Sequence, residues 1–300
     1  MILSSELLVQ RIRELVKPIL PKPTVVSPRL DELSGIKAVL FDVYGTMFVA
    51  EIGDIGISVE QSRADAFGEA LAAAGFSGEL EEASSRGAEL IFEGIERSHA
   101  RRREEGIEYP EVEIREVFQE ILSTLERDGL VQGEVSFESA ARVVLEYECR
   151  VNCIWPMPGL KETLAELRAR DVLLGIVSNA QFYTPLIFRA LLGAEPKELG
   201  FQKDLIVWSY ENLEAKPSEE IFRRVTVPLE QNYGILPDEA VYVGNSMLND
   251  IWPASCVGLR TAHFAGDDGS YHLNQDDPRC SSTTPDVIIT DLRQLIGILR

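Results

Sequence analysis

The amino-acid sequence predicts an α/β fold: a doubly wound parallel sheet with an inserted all-helical domain. Short apolar runs without alternation, such as residues 38–41, are typical of buried parallel strands. From residue 153 onward such runs alternate with segments of helical period. Between the first run and the others lies a long charged stretch of helical period with almost no strand signal.

An N-terminal extension, residues 1–34, precedes the first strand. Residues 1–22 have the apolar spacing of an amphipathic helix, which the prolines from Pro18 onward end. We expect this helix to pack on the rest of the chain or to mediate a homodimer; the inserted helical domain described below is the alternative dimer contact.

The core is predicted to consist of residues 35–56 and 153–300. Helices are predicted to follow Pro158-Gly159 and Lys216-Pro217, and another ends the chain. The polar stretch 266–285 is rich in turn formers and predicts a surface loop. After the first strand, further strands are predicted at 172–177, 205–207, 240–243, 259–262 and 287–289.

The inserted helical domain, residues 57–152, is predicted to be a cap on the core. A capping box formed by Ser58 and Gln61 predicts the start of its first helix. The four predicted helices are 59–75, 79–104, 110–128 and 136–150.

Composition limits the classes of partner. Of 300 residues, 29 are Lys or Arg and 49 are Asp or Glu, which gives a formal net charge of −20. Such a surface repels nucleic acids and anionic membranes, so neither is an expected partner. No apolar run approaches the roughly 18 residues that span a bilayer, and four cysteines are too few for a disulfide framework. We therefore expect a cytoplasmic protein with a small-molecule ligand.

Polar residues follow the predicted strands at the edge where parallel α/β sheets bind ligands. Lys216-Pro217 opens the helix before the fourth strand. The segments that follow the first, second and fourth strands are Asp42-Val43-Tyr44-Gly45-Thr46, Ser178-Asn179 and Gly244-Asn245-Ser246-Met247-Leu248-Asn249-Asp250.

These residue types suit a covalent mechanism. The carboxylate of Asp42 can attack an electrophilic phosphorus or carbon and form an ester. Gly45 permits a turn that points backbone N–H groups at an anion. Ser178 and Lys216 can hold a charged group and stabilise the negative charge of a transition state. Asp250 can orient Lys216 or a metal-bound water.

In this order the four motifs resemble those of the haloacid dehalogenase-like hydrolases. The family pattern is an Asp-x-(Asp/Tyr)-Gly-Thr loop, a Ser or Thr, a Lys commonly followed by Pro, and a final acidic loop. The resemblance covers residues 35–300 and implies a helical cap of the family's first type. It implies Asp42, Tyr44, Ser178, Lys216 and Asp250 as catalytic residues, with Asp42 as nucleophile. It places the substrate against Gly45, Thr46, Ser178, Asn179 and Lys216.

One departure from the family's phosphatases lies in the first motif. They usually carry a second Asp as general acid and then base, where this chain has Tyr44. Loss of such a group typically costs about 10²–10⁴ in rate. Tyrosine at this place is found in the 2-haloacid dehalogenase branch, where a halide leaves without a proton. The first motif therefore favours carbon–halogen chemistry.

The fourth motif favours phosphatases in outline, but Asn245 stands where they have an Asp that binds Mg²⁺. The resemblance implies Mg²⁺ held by Asp42, the backbone carbonyl of Tyr44 and Asn245. Binding should be weak, because an asparagine oxygen contributes no negative charge.

Three hypotheses follow. The first is a Mg²⁺-dependent phosphatase that forms a covalent aspartyl intermediate with a small phosphorylated or other anionic metabolite. The second is a metal-independent hydrolase of the 2-haloacid dehalogenase type. The third is a weakly active or inactive member that binds a phosphorylated ligand or a protein partner.

Overall fold

The computed structural model describes residues 5–52 and 57–300. The predicted capping box of Ser58 and Gln61 falls on side chains outside this description. Among the described residues, no helix combines the length and the apolar character needed to cross a membrane.

A six-stranded sheet lies at the centre of the molecule, and every pair of neighbouring strands in it is parallel. Its strands are β1 (Ala38–Phe41), β6 (Leu173–Ser178), β7 (Phe201–Trp208), β8 (Ala240–Gly244), β9 (Arg260–Phe264) and β10 (Val287–Ile289). The order across the sheet is β10-β9-β8-β1-β6-β7. This confirms the predicted doubly wound α/β fold. The central strand β1 is fully buried, as its uninterrupted apolar run requires.

Helices cover both faces of the sheet. They are α6 (Leu160–Ala169), α7 (Thr184–Leu192), α8 (Ser209–Asn212), α9 (Glu219–Tyr233), α10 (Trp252–Cys256), α11 (Pro278–Ser281) and α12 (Gln294–Ile298). A 3-10 turn (Pro237–Glu239) precedes β8, and a π-turn (Met247–Ile251) follows it.

The helical insertion, residues 57–151, forms its own apolar cluster around Phe67, Phe118 and Tyr147. Its helices are α2 (Ile57–Ala74), α3 (Leu80–Glu104), α4 (Ile114–Arg127) and α5 (Phe137–Val151). A short antiparallel ribbon, which the sequence did not predict, pairs β3 (Ser77–Gly78) with β4 (Val131–Gln132). Strand β3 lies between α2 and α3, and β4 lies between α4 and α5. Two residues per strand are too few to produce a periodic signal.

A second ribbon that the sequence did not predict joins the insertion to the core. Strands β2 (Phe48–Ile52) and β5 (Asn152–Pro156) pair antiparallel from Phe48–Pro156 to Ile52–Asn152. The chain therefore enters and leaves the insertion side by side, close to the loop that follows β1.

The N-terminal helix α1 (Ser5–Leu15) begins and ends inside the predicted range and contacts both α5 and α7. Its buried residues Val9 and Ile12 face the chain itself. The expected packing role is confirmed, whereas a homodimer through this helix stays a prediction.

Arg11 of α1 fixes the helix to the insertion. Its Nε and Nη2 lie 2.5 and 3.0 Å from the two carboxylate oxygens of Glu146 on α5. Arg150 binds the same carboxylate. Burial works to raise the pKa of Glu146, but the hydrogen bonds from Arg11 and Arg150 hold it below its ordinary value.

We predict that Arg11→Ala lowers the free energy of unfolding by about 1–3 kcal/mol at neutral pH, because Glu146 loses two charge-assisted hydrogen bonds. The depressed pKa of Glu146 stabilises the fold above the ordinary glutamate pKa, so the deficit should shrink as the pH falls below it. Urea unfolding at several pH values measures this. Arg86→Ala, which removes an exposed pair with Glu89, is the control; equal effects of the two substitutions would contradict the assignment.

Candidate active site

Asp42 lies directly after β1, at the carboxyl edge of the sheet. The loop that follows it turns back on itself, since the C=O of Val43 accepts the N–H groups of Met47 and Phe48, both at 2.9 Å. Gly45 has a φ of +82°, and a Cβ there would lie 2.5 Å from Nδ2 of Asn245. A glycine is therefore required for both the turn and the close approach of the fourth motif.

Lys216 joins the first and fourth motifs. Its Nζ lies 2.6 Å from Oδ1 of Asp42 and 2.6 Å from Oδ1 of Asp250, and all three side chains are buried. Two carboxylates and one ammonium leave this buried group one negative charge in excess. The predicted catalytic residues Asp42, Lys216 and Asp250 thus meet at one point.

The remaining oxygens of this cluster have their own donors. Ser178 Oγ donates to Oδ1 of Asp42 at 3.0 Å, which places the second motif beside the predicted nucleophile. The N–H of Ser246 donates to Oδ2 of Asp250 at 2.9 Å. The hydroxyl of Tyr242 lies 3.2 Å from both Lys216 Nζ and Asp250 Oδ1 and donates to the C=O of Val177.

Burial and charge oppose each other at this cluster. Burial raises the pKa of Asp42 above its ordinary value, and the neighbouring Lys216 ammonium offsets part of that rise. For Lys216, burial works to lower the pKa, but the carboxylates of Asp250 and Asp42 raise it above its ordinary value. Lys216 therefore stays a cation at neutral pH, and its charge favours the ionised form of Asp42.

Asn179 holds Lys216 in place. Its Oδ1 accepts the N–H of Lys216 at 2.7 Å, and its Nδ2 donates to the C=O of the same residue at 3.3 Å. The side chain of Asn179, predicted to bind substrate, is thus hydrogen-bonded to the backbone of the third motif. Any contact with substrate would come from its backbone.

Two backbone N–H groups, those of Tyr44 and Asn179, indicate an anion site. Within residues 5–52 and 57–300, no acceptor lies in hydrogen-bonding position for the N–H of Tyr44 or of Asn179. They belong to loops at the ends of β1 and β6, which are neighbouring strands. Together with Ser178 Oγ and Lys216 Nζ they are the donors that a phosphate or a carboxylate requires.

Tyr44 is not equipped to exchange protons. Its hydroxyl forms a 2.7 Å hydrogen bond with Oγ1 of Thr184, at the start of α7. Burial raises its pKa well above the ordinary value of a tyrosine. At neutral pH Tyr44 therefore stays a neutral phenol that holds the loop to α7.

Thr46 and Asn245 connect the first and fourth motifs. Thr46 Oγ1 donates to Oδ1 of Asn245 at 3.2 Å, and Nδ2 of Asn245 donates to the C=O of Ser270 at 2.6 Å. Thr46, predicted to contact substrate, is fully buried against Asn245.

The stretch 266–285, predicted to be a surface loop, is largely exposed, but part of it also packs on the fourth motif. Ser270 accepts the hydrogen bond from Asn245 described above. In addition, the N–H of His272 donates to the C=O of Asn245 at 3.0 Å, and the C=O of His272 accepts the N–H of Met247 at 2.8 Å. The ring of His263 reaches the same Asn245 oxygen, and burial lowers the pKa of His263 to about 4. A polar, turn-rich composition does not reveal such contacts, because they depend on backbone groups.

A metal at this edge would rely on carbonyl and amide oxygens. No three His, Cys, Asp or Glu residues converge in the part of the sequence that the structure describes. Asp42, the C=O of Tyr44 and Oδ1 of Asn245 offer one carboxylate and two neutral oxygens. Mg²⁺ accepts such a set when waters and a substrate phosphate complete its shell. The donors therefore fit a weak Mg²⁺ site.

Several residues at or beside the site were not predicted from the sequence. Tyr242 lies within an apolar strand and gave no polar signal, and Thr184 is an ordinary helix start. Glu111 and Glu148 belong to the insertion, yet both line a cavity beside Tyr44. Only the tertiary fold brings them close to the first motif.

Comparisons with known proteins agree with this geometry. The family model of the haloacid dehalogenase-like hydrolases matches residues 36–258. Two similar curated relatives are called glyceraldehyde 3-phosphate phosphatase. That of Pyrococcus furiosus is 25% identical over 161 residues, which are 53% of this chain and 61% of the relative. That of Methanopyrus kandleri is 28% identical over 162 residues, 54% and 64% of the two chains. The chain thus spans less than two thirds of these relatives.

A solved structure supports the fold. The 2-haloacid dehalogenase from Pseudomonas syringae is similar with a TM-score of 0.50 and 19% identity, over 88% of this chain and 97% of that one. At this identity the likeness concerns the fold alone.

We predict that Lys216→Met lowers the free energy of unfolding by about 3–5 kcal/mol at neutral pH, because the buried carboxylates lose their ammonium. Without the Lys216 charge, which lowers the pKa of Asp42, burial raises that pKa further. The deficit should therefore be largest at neutral pH and shrink as the pH falls and Asp42 takes up a proton.

Denaturant unfolding at pH values on both sides of neutrality measures this. The control is Lys37→Met, which removes an exposed pair with Glu239 and should cost about 1 kcal/mol or less. A deficit that grows in acid would contradict the charge assignment.

Proposed function

The chain belongs to the haloacid dehalogenase-like hydrolases, as its four motifs predicted, and on that premise we propose that it is a phosphatase of a small phosphorylated metabolite. The observation that carries the proposal is the buried carboxylate of Asp42, 2.6 Å from Lys216 Nζ. The N–H groups of Tyr44 and Asn179, in the loops after β1 and β6, have no acceptor among the residues that the structure describes. This arrangement joins a nucleophile to an oxyanion site.

The names of the relatives support this class of reaction. Both similar curated proteins are named as phosphatases of glyceraldehyde 3-phosphate, a small phosphate monoester. We do not transfer that substrate to this protein, because the identities are low and the match covers only part of each relative.

In the proposed first step, Lys216 Nζ, Ser178 Oγ and the N–H groups of Tyr44 and Asn179 hold the phosphoryl group. A carboxylate oxygen of Asp42 attacks phosphorus in line, and the bond to the alcohol oxygen breaks with its electron pair on that oxygen. Tyr44 does not protonate it. Esters of acidic alcohols, whose leaving groups need no proton, should therefore react fastest.

In the second step water attacks the phosphorus of the aspartyl phosphate, which releases inorganic phosphate and restores Asp42. The water gives up its proton to solvent, since the usual second carboxylate is absent. Lys216 stabilises the Asp42 carboxylate as it departs, and Asp250 keeps Lys216 in position. We propose that this step limits turnover.

We propose Mg²⁺ as a weakly bound cofactor, held by Asp42, the C=O of Tyr44 and Asn245. When bound, the cation would neutralise part of the charge on the phosphate. The helical insertion is proposed to act as a cap, because its α5 and the β2–β5 ribbon border the cavity beside Tyr44.

Tyr44 supports a second candidate, the dehalogenation of a 2-haloacid without a metal. Asp42 would attack the carbon that bears the halogen, the halide would leave with the electron pair, and water would hydrolyse the resulting ester. Halide leaving groups require no proton, so a neutral Tyr44 is no disadvantage. Halide release from 2-chloropropionate that EDTA leaves unchanged would favour this candidate.

We predict that the protein releases phosphate from p-nitrophenyl phosphate and acetyl phosphate, that Mg²⁺ increases the rate, and that Asp42→Asn removes it. The measurement is phosphate release with added Mg²⁺ and with EDTA. Asp204→Asn, which changes a carboxylate at the surface, should retain the wild-type rate. Inactivity of the wild-type protein on both esters would rule out the phosphatase proposal for activated substrates.

We predict that Tyr44→Asp together with Asn245→Asp raises kcat on an alkyl phosphate by about 10-fold or more, because a proton donor and an anionic metal ligand are restored. The gain on p-nitrophenyl phosphate should be smaller, since its leaving group needs little protonation. Steady-state kinetics on both esters measures the ratio of the gains. An unchanged rate on the alkyl phosphate would count against phosphoryl transfer.

A further inference from the structure

A cavity of about 380 Å³ lies between the insertion and the core, beside Tyr44 and Asn179. Ala50, Ile154 and Ile187 supply part of its largely apolar wall. The backbone N–H groups of Tyr44 and Asn179 belong to the proposed phosphoryl site. The alcohol portion of a bound phosphate ester would therefore extend into this cavity.

The cavity has an unbalanced charge. Glu111 and Glu148 line it, and none of the described residues that line it is Lys, Arg or His. Glu148 accepts a 2.6 Å hydrogen bond from Asn152 Nδ2 and another from the Tyr183 hydroxyl. Both donors are neutral, and the exposed Arg63, which does not line the cavity, offsets only part of the charge of Glu148.

Glu111 is held in a similar way. Its carboxylate accepts a 2.8 Å hydrogen bond from Ser209 Oγ and a 2.9 Å one from the N–H of Val112. Burial raises the pKa of both Glu111 and Glu148 above the ordinary value. A further negative charge in the cavity would be repelled, whereas a cation would be attracted.

We propose that Glu111 and Glu148 determine specificity for the leaving group: the site selects phosphate monoesters of amino alcohols over monoesters whose alcohol carries a carboxylate. This selectivity rests on the proposed phosphatase function and deepens it. An ammonium group on the alcohol would approach the two carboxylates and relieve their unbalanced charge. A carboxylate would place a third negative charge among them.

The test compares three esters of similar size: phosphoethanolamine, propyl phosphate and phosphoglycolate. The wild-type kcat/KM for phosphoethanolamine should exceed that for phosphoglycolate by about tenfold or more, with propyl phosphate between them. In Glu111→Gln with Glu148→Gln the ratio should approach one, chiefly through faster turnover of phosphoglycolate. Glu89→Gln, on the exposed side of α3, should keep the wild-type ratio.

Binding separates this proposal from the reaction itself. The three esters are also titrated calorimetrically into Asp42→Asn, where the same order of affinity is expected without turnover. Hydrolysis that fails while this order of affinity persists overturns the phosphatase proposal but supports the specificity proposal. Equal affinities, no binding, or a preference for phosphoglycolate that survives both glutamine substitutions would overturn the specificity proposal.

Discussion

The buried ammonium of Lys216, 2.6 Å from both Asp42 and Asp250, is the interaction on which the site depends. Burial without a neighbouring cation would favour the neutral form of Asp42. The ammonium allows Asp42 to stay ionised inside the protein, where a nucleophile gains from the exclusion of water. The same contacts join the loop after β1 to the loop after β8, so Asp42 and its charge partner Lys216 are held together.

The topology of the sheet explains why these residues meet. Strand β1 lies between β6 and β8, and all three run parallel, so their carboxyl ends carry the first, second and fourth motifs to one edge. Asn179 then clamps the backbone of Lys216. Two residues after Asp42, where the family's phosphatases usually have a second Asp, this chain has Tyr44. Tyr44 is bound to Thr184 and stays protonated. In the proposed reaction, the leaving group must therefore depart without a proton from Tyr44.

Much of this organisation could be predicted from the sequence, because uninterrupted apolar runs and the polar residues after them are local signals. The runs at residues 38–41 and 287–289 form strands with the predicted bounds. The ribbon of β2 and β5, the packing of 266–285 on Asn245 and the position of Glu148 could not be predicted. They depend on backbone hydrogen bonds or on side chains that are far apart in the sequence. Such contacts leave no periodic pattern in the sequence.

In the proposed reaction Asp42 forms a covalent phosphoryl ester. The direct measurement is mass spectrometry of the protein quenched in acid during turnover of acetyl phosphate, followed by peptide mapping. We expect a phosphoryl group on the peptide that contains Asp42, more abundant when the release step is slow, and absent in Asp42→Asn. A phosphoryl group on another residue, or hydrolysis with no labelled peptide under conditions where the ester is stable, would contradict it.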